Sequence, residues 1–581
     1  MTHTHTHEHE HQHQHTHGHE HTHGHEHSAP DDLTLAAASD ASDADLTPRE
    51  LSRRVLMRAA GVTGALTAGA AGMSGVTPAM AAGEGAASRG GRNLTWLAGD
   101  HHIHTQFSSD GMYRVQDQAQ NGRAYGLDWM VITDHGGADH ARYGVEKVNP
   151  EIREAREQLP GTLVFQGLEW NIPAAEHGTV FVAPGRREVE VLKSFESTYD
   201  GSVRDARDGT PANEKLAVAA IQWLGTQVAR RRVDDALFLA NHPARNGIDS
   251  PHEIRAWRDA DPRIAIGFEG APGHQAGGLP KGYGPGGARG GYGNSPGGSS
   301  FAGYPPESYR TWGGFDWMTS TVGGLWDSLL AEGKPWSISA NSDSHRNWGD
   351  TSTRPEGGFV EGQYGDPVYA GEIALDRSDF WPGFYSRTHV GASDRSYRAV
   401  MAGMRAGRMW VDHGRLVKAV DVQVRATGRG RSATAGATES LGGTLRAARG
   451  SRIQLVLTVT AQDLPNWSQF VPSLNRIDLV RGAVDVSGPS DRDAFTAPDT
   501  KVVERWDTSG RTGTFTITHD LGTLDAPFYV RLRGTDGNHS QPGALGAQID
   551  AEGPKLDVAG DADPWVDLWF YTNPVWVVPT R

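Results

Sequence analysis

The chain has no cysteine among its 581 residues. That excludes disulfides, thiolate zinc sites, iron–sulfur clusters and cysteine nucleophiles, so any metal must sit on His, Asp and Glu. Such ligands suit zinc, manganese or iron. Positive charge is also short: the formal net charge is −15, which argues against a stable nucleic-acid partner held by a basic surface. Phosphate can still be bound where metal ions supply positive charge locally. No apolar run makes a good membrane span, so no permanent membrane anchor is expected. Glycine, by contrast, is plentiful at 74 residues, with 31 prolines, and points to long loops and β-rich or irregular regions. The length suffices for two or three domains with full cores.

Histidine is distributed in two very different ways. Of 27 histidines, thirteen alternate with Thr, Glu, Gln or Gly at odd positions from His3 to His27. Together with an acidic spacer they make residues 1–50 a segment that cannot build a core and is expected to be disordered. The tail reads either as a loose collector of zinc, nickel or copper, or as a low-complexity expansion with incidental metal affinity. Residues 51–81 carry Arg53-Arg54, a short Gly/Ala-rich apolar run and Ala79-Met80-Ala81, the ordered parts of an export signal. Ser52-Arg53-Arg54-Val55-Leu56-Met57 resembles a twin-arginine signal. That implies the twin-arginine export machinery as a partner, and export across the cytoplasmic membrane to a secreted or cell-envelope location. Cleavage after Ala81 would remove the tail. Residues 82–93 read as a linker.

Twelve of the other fourteen histidines fall between His101 and His413. In TWLAGDHHIHTQFSSDG (95–111) His102 and His104 alternate on a strand, and period-two spacing directs both rings to one face. His101, adjacent to His102 and so out of phase with the pair, faces the other way and reads as structural. Asp110 follows in a turn. A second strand, Trp129 to Thr133, ends in Asp134-His135. A third, TLVFQGLEW, ends with Glu169, and His177 follows in AEHGTVFVAP. DALFLANHPARNG ends with His242, RIAIGFEGAPGH with Glu269, and KPWSISANSDSH with Asp343 and His345. Strand ends are where barrel folds place their chemistry. Six strand-like segments ending in His, Asp or Glu outweigh the bland reading that each has alone.

The set GDHHIHTQFSSDG, VITDHG, GLEW with EHG, LANHP and NSDSH resembles the polymerase and histidinol phosphatase (PHP) superfamily of metallohydrolases. The resemblance covers roughly residues 94–418, with five motifs in the family's order. WLAGDHHIHTQFS and the C-terminal WFYTNPVWV look like the branch that includes carbaryl hydrolases. The resemblance implies an α/β fold, a distorted (βα)7 barrel over 94–418 carrying two or three divalent metal ions. By its pattern His102, His104 and Asp343 bind the first metal, and Glu169 bridges it to a second completed by His177 and His242. Asp110, His135 and His345 hold the third, where some relatives have histidine in place of Asp110. That change makes the third position more anionic. Two cations sharing Glu169 can bridge a water and lower its pKa, giving a hydroxide nucleophile. Asp134 could orient His135 or shuttle a proton. Arg245 could clamp a phosphate oxygen or be an exposed loop arginine. Glu269 and His274 are either pocket residues or structural.

Residues 270–314 are glycine-dense but lack the spacing of a nucleotide-triphosphate loop. They read as a lid or substrate wall that Tyr283, Tyr292, Tyr304, Trp312 and Trp317 could line. WDSLLAEGK (326–334) reads as a helix ending at Gly333. MAGMRAGRMWVDHG (401–414) reads as a helix and a last barrel strand. Over 419–581 the segments AVDVQVRA, RIQLVLTVTA, RIDLVRGAV, GTFTITHD, PFYVRLRGTDG and VDLWFYTNPVWV predict an antiparallel β-sandwich without a ligand cluster.

The expected activity is metal-dependent hydrolysis of a small-molecule phosphoester, since clustered cations suit a phosphate's charge. Hydrolysis of a carboxylic or carbamate ester is the alternative, and an exported non-enzymatic metal-binding protein is a third.

Overall fold

The computed structural model describes residues 94–276, 295–347, 351–353, 362, 364–365, 368–369, 379–427, 437–537, 553–554 and 563–580. The histidine tail, export signal and linker, and Tyr283 and Tyr292 of the glycine-dense segment, lie outside the described residues.

Seven strands stand side by side in chain order: β1 (Thr95–Ile103), β2 (Trp129–Ile132), β3 (Leu163–Asn171), β4 (His177–Val182), β5 (Ala236–Ala240), β6 (Ala265–Ala271) and β7 (Ser337–Ala340). Six run parallel, while β4 is antiparallel to both neighbours. Short apolar runs form them because both faces are covered: WMVI and ALFLA are buried at every residue. Helices α1 (Val115–Ala124), α2 (Val145–Gln158), α3 (Glu188–Tyr199), α4 (Pro211–Ala229) and α5 (Pro251–Ala260) fill the connections. Their starts are written locally. The Thr210 side chain accepts from the Asn213 N–H ahead of Pro211, and Ser250 with Glu253 makes a capping box ahead of Pro251.

The sheet continues on the other side of β1 through β8 (Ser386–Ala392) and β9 (Met409–His413), both antiparallel additions. Side chains close the gap to β7 where no ladder forms. The Thr388 hydroxyl serves both the N–H and the carbonyl of Ala340, each at 2.9 Å. The Asn573 amide does the same for Ile338, at 2.9 and 3.0 Å. Backbone groups that would be orphaned inside the protein are thereby satisfied. At the other end, the loop after β7 returns to β1 through an Ile103–Ser344 bridge and a 2.9 Å bond from the His104 N–H to the Ser344 carbonyl.

Ten further strands follow: β10 (Val417–Thr427), β11 (Thr438–Ser440), β12 (Thr444–Ala448), β13 (Arg452–Ala461), β14 (Arg476–Ala483), β15 (Lys501–Asp507), β16 (Thr514–Thr523), β17 (Phe528–Thr535), β18 (Trp569–Thr572) and β19 (Val575–Thr580). One sheet has the order β11-β10-β13-β16. Its members alternate as a half-buried strand must, with every second residue of β13 in the core. A common core joins it to the strands β12, β14, β17, β18 and β19 opposite.

Several expectations need correction. The facing sheet is not separate, because β18 pairs with β9 and makes one 15-stranded sheet with the N-terminal strands. The sandwich is not wholly antiparallel, since β12 and β19 pair in parallel. VDLWFYTNPVWV is two strands, broken at Asn573-Pro574, where proline has no N–H for a ladder. β15 escaped the sequence pattern because its alternation is between half-buried and exposed rather than buried and exposed. The helix expected to end at Gly333 runs over Leu325–Leu330, and the turn that follows places Gly333 at φ +69°. Tyr304, Trp312 and Trp317 line no lid; they are buried in the largest apolar core.

Candidate metal centre

β1 delivers its two imidazoles as the spacing predicts. His102, on the strand, and His104, just past it, have no exposed surface. His101 is bound elsewhere, with Nδ1 at 3.1 Å from Thr179 Oγ1 and Nε2 at 2.7 Å from Ser339 Oγ. His102 Nδ1 lies 2.8 Å from Glu269 Oε1. A proton donated there leaves the Nε2 lone pair facing Glu169 Oε1 and Asp343 Oδ1, each at 3.0 Å, with the Asn241 amide at 3.3 Å. His104 pairs Nδ1 with Ser108 Oγ at 2.9 Å and points Nε2 to Asp343 Oδ1 at 3.1 Å.

Glu169 is the hub. It sits two residues inside the end of β3 rather than at its tip. His135 Nδ1 approaches it at 2.7 Å, His177 Nδ1 at 3.2 Å and His242 Nε2 at 3.2 Å. His135, just beyond β2, reaches Glu169 through an isolated parallel bridge. His177 arrives differently: it opens β4, and because that strand is antiparallel its first residue lies at the rim where the parallel strands end. His242 follows β5 with φ +29°, and Asp343 follows β7 with φ +52°. Both conformations are costly for residues with a Cβ and mark a backbone bent to serve side chains. Asp110 Oδ2 lies 3.2 Å from His135 Nε2 and 3.5 Å from His345 Nε2, and the His345 ring stacks on His104 at 3.9 Å.

All nine residues implied as ligands therefore converge. Their ligand atoms group within 4.8 Å as His104, Asp110, His135 and His345; as His102, His104 and Asp343; as His102, Glu169 and His242; and as His135, Glu169 and His177. Two groups match the implied first and third positions, the third with His104 added. The implied second position is spread over two triples that share Glu169, while a further group joins His177 and His242 with Glu176. The donor set fits divalent ions. Buried His104 Nε2, His177 Nδ1, Glu169 Oε2 and Asp343 Oδ1 find no hydrogen-bond partner among the described residues. Orphaning four such atoms without a ligand is expensive.

Electrostatics agree. Burial works against charge on every group here, yet the His neighbours hold Glu169 and Asp343 well below the usual carboxylate range. Asp343, Glu169 and Glu269 carry His102 well above 6.5 against the opposing effect of burial. Burial, with His345 and His135 beside it, pushes His104 down to about 3, which keeps it neutral. The pocket is built to hold positive charge.

The two residues expected to act beside the metals are placed differently. Asp134 does not orient His135: its carboxylate accepts from the Thr105 N–H at 2.6 Å and from the Thr105 hydroxyl, pinning the 105–108 loop. Arg245 is half-buried in the turn after His242, its N–H on the His242 carbonyl at 2.9 Å.

Sequence reasoning missed a second layer. Asn241 Nδ2 touches Glu169 Oε1 at 3.1 Å, and Asn341 Nδ2 touches Glu269 Oε1 at 3.1 Å. Each is within two residues of a ligand, which was the available signal. His274, which the sequence left as a pocket or structural residue, has Nε2 3.0 Å from Asp343 Oδ2, and Asp379, which it missed, accepts the N–H of His345 at 2.9 Å. Nothing in the pattern around Asp379 pointed to it.

Residues 100–222 match the family model of the PHP domain. That span holds His102, His104, Asp110, His135, Glu169 and His177, while His242, Asp343 and His345 lie beyond it. A comparison with curated proteins finds no match. Among solved structures, one likeness is a two-domain protein containing a predicted PHP-like metal-dependent phosphoesterase from Bacteroides vulgatus ATCC 8482. It has 14% identity and a TM-score of 0.30, covering 76% of this chain and 90% of that one. Another is endonuclease Q in complex with a 27-mer duplex carrying an abasic lesion, with 11% identity and a TM-score of 0.25, covering 54% and 57%.

Proposed function

We propose that the chain is a metal-dependent hydrolase of small-molecule phosphoesters. The observation that carries this is the clustering of nine His, Asp and Glu residues, Glu169 and Asp343 among them, in overlapping groups, supported by the PHP-domain match over residues 100–222. The first ion would be held by His102, His104 and Asp343, the second by His177 and His242 with Glu169 shared, and the third by Asp110, His135 and His345. Divalent ions there would lower the pKa of a water and neutralise charge on phosphate. The protein's part is to orient and to exclude solvent. Its deep side, at His102, has no exposure, while Asp110, His135, His177 and His274 are 53, 22, 21 and 31% exposed at the side chain. Substrate would enter from that open side, where Arg245 in the adjoining turn could meet an anionic group.

The test is turnover by metal-loaded protein of p-nitrophenyl phosphate, bis-p-nitrophenyl phosphate and naphthyl esters. Turnover of esters with none of phosphates would overturn the phosphoester proposal in favour of a carboxylic or carbamate ester hydrolase. The likeness of WLAGDHHIHTQFS and WFYTNPVWV to the carbaryl-hydrolase branch favours that second reading. The net charge of −15 supports small molecules over nucleic acid; cleavage of duplex DNA would overturn that part. We further propose export by a twin-arginine signal, on Arg53-Arg54 and Ala79-Met80-Ala81. Mass spectrometry of the exported protein should find an N-terminus after Ala81, and an intact histidine tail would sink the cleavage claim.

A further inference from the structure

We propose that Glu269 is a positioning residue that couples the first two metal positions, holding a ligand of each while touching neither ion. This rests on reading the nine residues as a metal centre. Glu269 lies in β6 and is fully buried. Its Oε1 accepts from His102 Nδ1 at 2.8 Å and from the Asn341 amide at 3.1 Å. Its Oε2 accepts the backbone N–H of His242 at 2.7 Å. One carboxylate thus spans a ligand assigned to the first ion and one assigned to the second.

Each bond has a distinct job. On the His102 side, the carboxylate fixes the proton on Nδ1 and leaves Nε2 to bind. On the His242 side, it captures the N–H of a residue held at φ +29°, a backbone conformation that persists only when surroundings fix it. With His102 held in place by an ion, its Nδ1–H would fix the position of Glu269 Oε1, and the rigid carboxylate would thereby place Oε2 where it keeps the bent His242 backbone in its binding geometry. Coupling by this route is reciprocal, so the second ion must favour the first equally. An amide cannot replace the carboxylate, because one of its two ends would face a donor with an N–H. Against His102 it would favour the opposite tautomer, with the proton on Nε2.

The experiment compares the full-length chain with Glu269→Gln, both stripped by chelator and titrated with Co²⁺. Visible d–d absorption and equilibrium dialysis with elemental analysis report binding. The thirteen tail histidines contribute equally to both proteins and cancel in the difference. Expected are cooperative binding of the first two ions in the wild type and about 10–100-fold weaker binding of both together in the variant, with a changed cobalt spectrum. Wild-type affinities in Glu269→Gln, or loss confined to one ion, would overturn the coupling. If near-UV dichroism shows Glu269→Gln unfolded, Glu269→Asp keeps the charge but is too short to span both partners. It should weaken both ions, and an unchanged isotherm overturns the proposal. A wild type that binds no more Co²⁺ than His102→Ala/His104→Ala would instead refute the metal centre itself.

Discussion

Two regions of this molecule bury charge, and they settle it differently. Where the N-terminal strands meet the C-terminal sheets, three buried aspartates face guanidinium groups. Asp327 receives Arg531 through two bonds of 2.8 and 2.7 Å and the Tyr529 hydroxyl at 2.8 Å. Asp478 receives Arg533 and Arg505, and Asp412 receives Arg387 and His389. At the strand ends, Glu169, Asp343 and Glu269 have only histidines as charged partners among the described residues. Four ligand atoms there lack hydrogen bonds. The seam's carboxylates are neutralised by guanidinium groups, whereas on the proposed reading those of the centre would be neutralised by cations. Carboxylates paired with arginine fit a structural role, and carboxylates that face only histidines fit a site.

The comparison can be broken by experiment. The largest effect should come from His102→Ala/His104→Ala, with hydrolysis falling roughly 10⁴-fold or more, about 5 kcal/mol in transition-state stabilisation. Far-UV dichroism should still report the C-terminal sheets; their loss would make these histidines structural. Next, Asp327→Ala leaves Arg531 buried and unpaired and should lower the unfolding free energy by about 3–5 kcal/mol in urea. A midpoint at the wild-type value would remove the contrast between seam and centre.

Metal removal should be smaller and confined to one region. Each ion present at a hundred times its Kd stabilises the fold by about 2.7 kcal/mol. Chelation should therefore lower Tm in the wild type, and much less in the double-histidine variant. Equal losses in the two would place the stabilising ions elsewhere. The smallest effect should be on pH dependence at the seam. Burial lowers the pKa of His389, with Asp412 partly opposing it. A depressed histidine adds stability above its unfolded value near 6.5 and loses it as pH falls through the folded value. Its contribution to the slope is below about 1.4 kcal/mol per pH unit. His389→Gln should flatten the stability profile below pH 6.5, and parallel profiles would show that His389 carries no such linkage.

Much of the site was legible because its information is local. The absence of cysteine restricted ligands to His, Asp and Glu. Period two put His102 and His104 on one face and sent His101 to the other, and apolar runs ending in charge located Glu169, His242 and Asp343. A strand's geometry and a residue's chemistry are properties of neighbours in sequence, so the sequence alone determined them. Contacts between distant segments were decided by the tertiary structure. Glu269 lies 167 residues from His102, and only the packing of β6 beside β7 and across from β1 makes it a clasp rather than one more strand-end carboxylate. Asp134 sits next to a ligand in sequence yet belongs to Thr105, because adjacent residues at a strand end face opposite ways. The join of β18 to β9 was likewise invisible, since a strand carries no local mark of which edge it will extend.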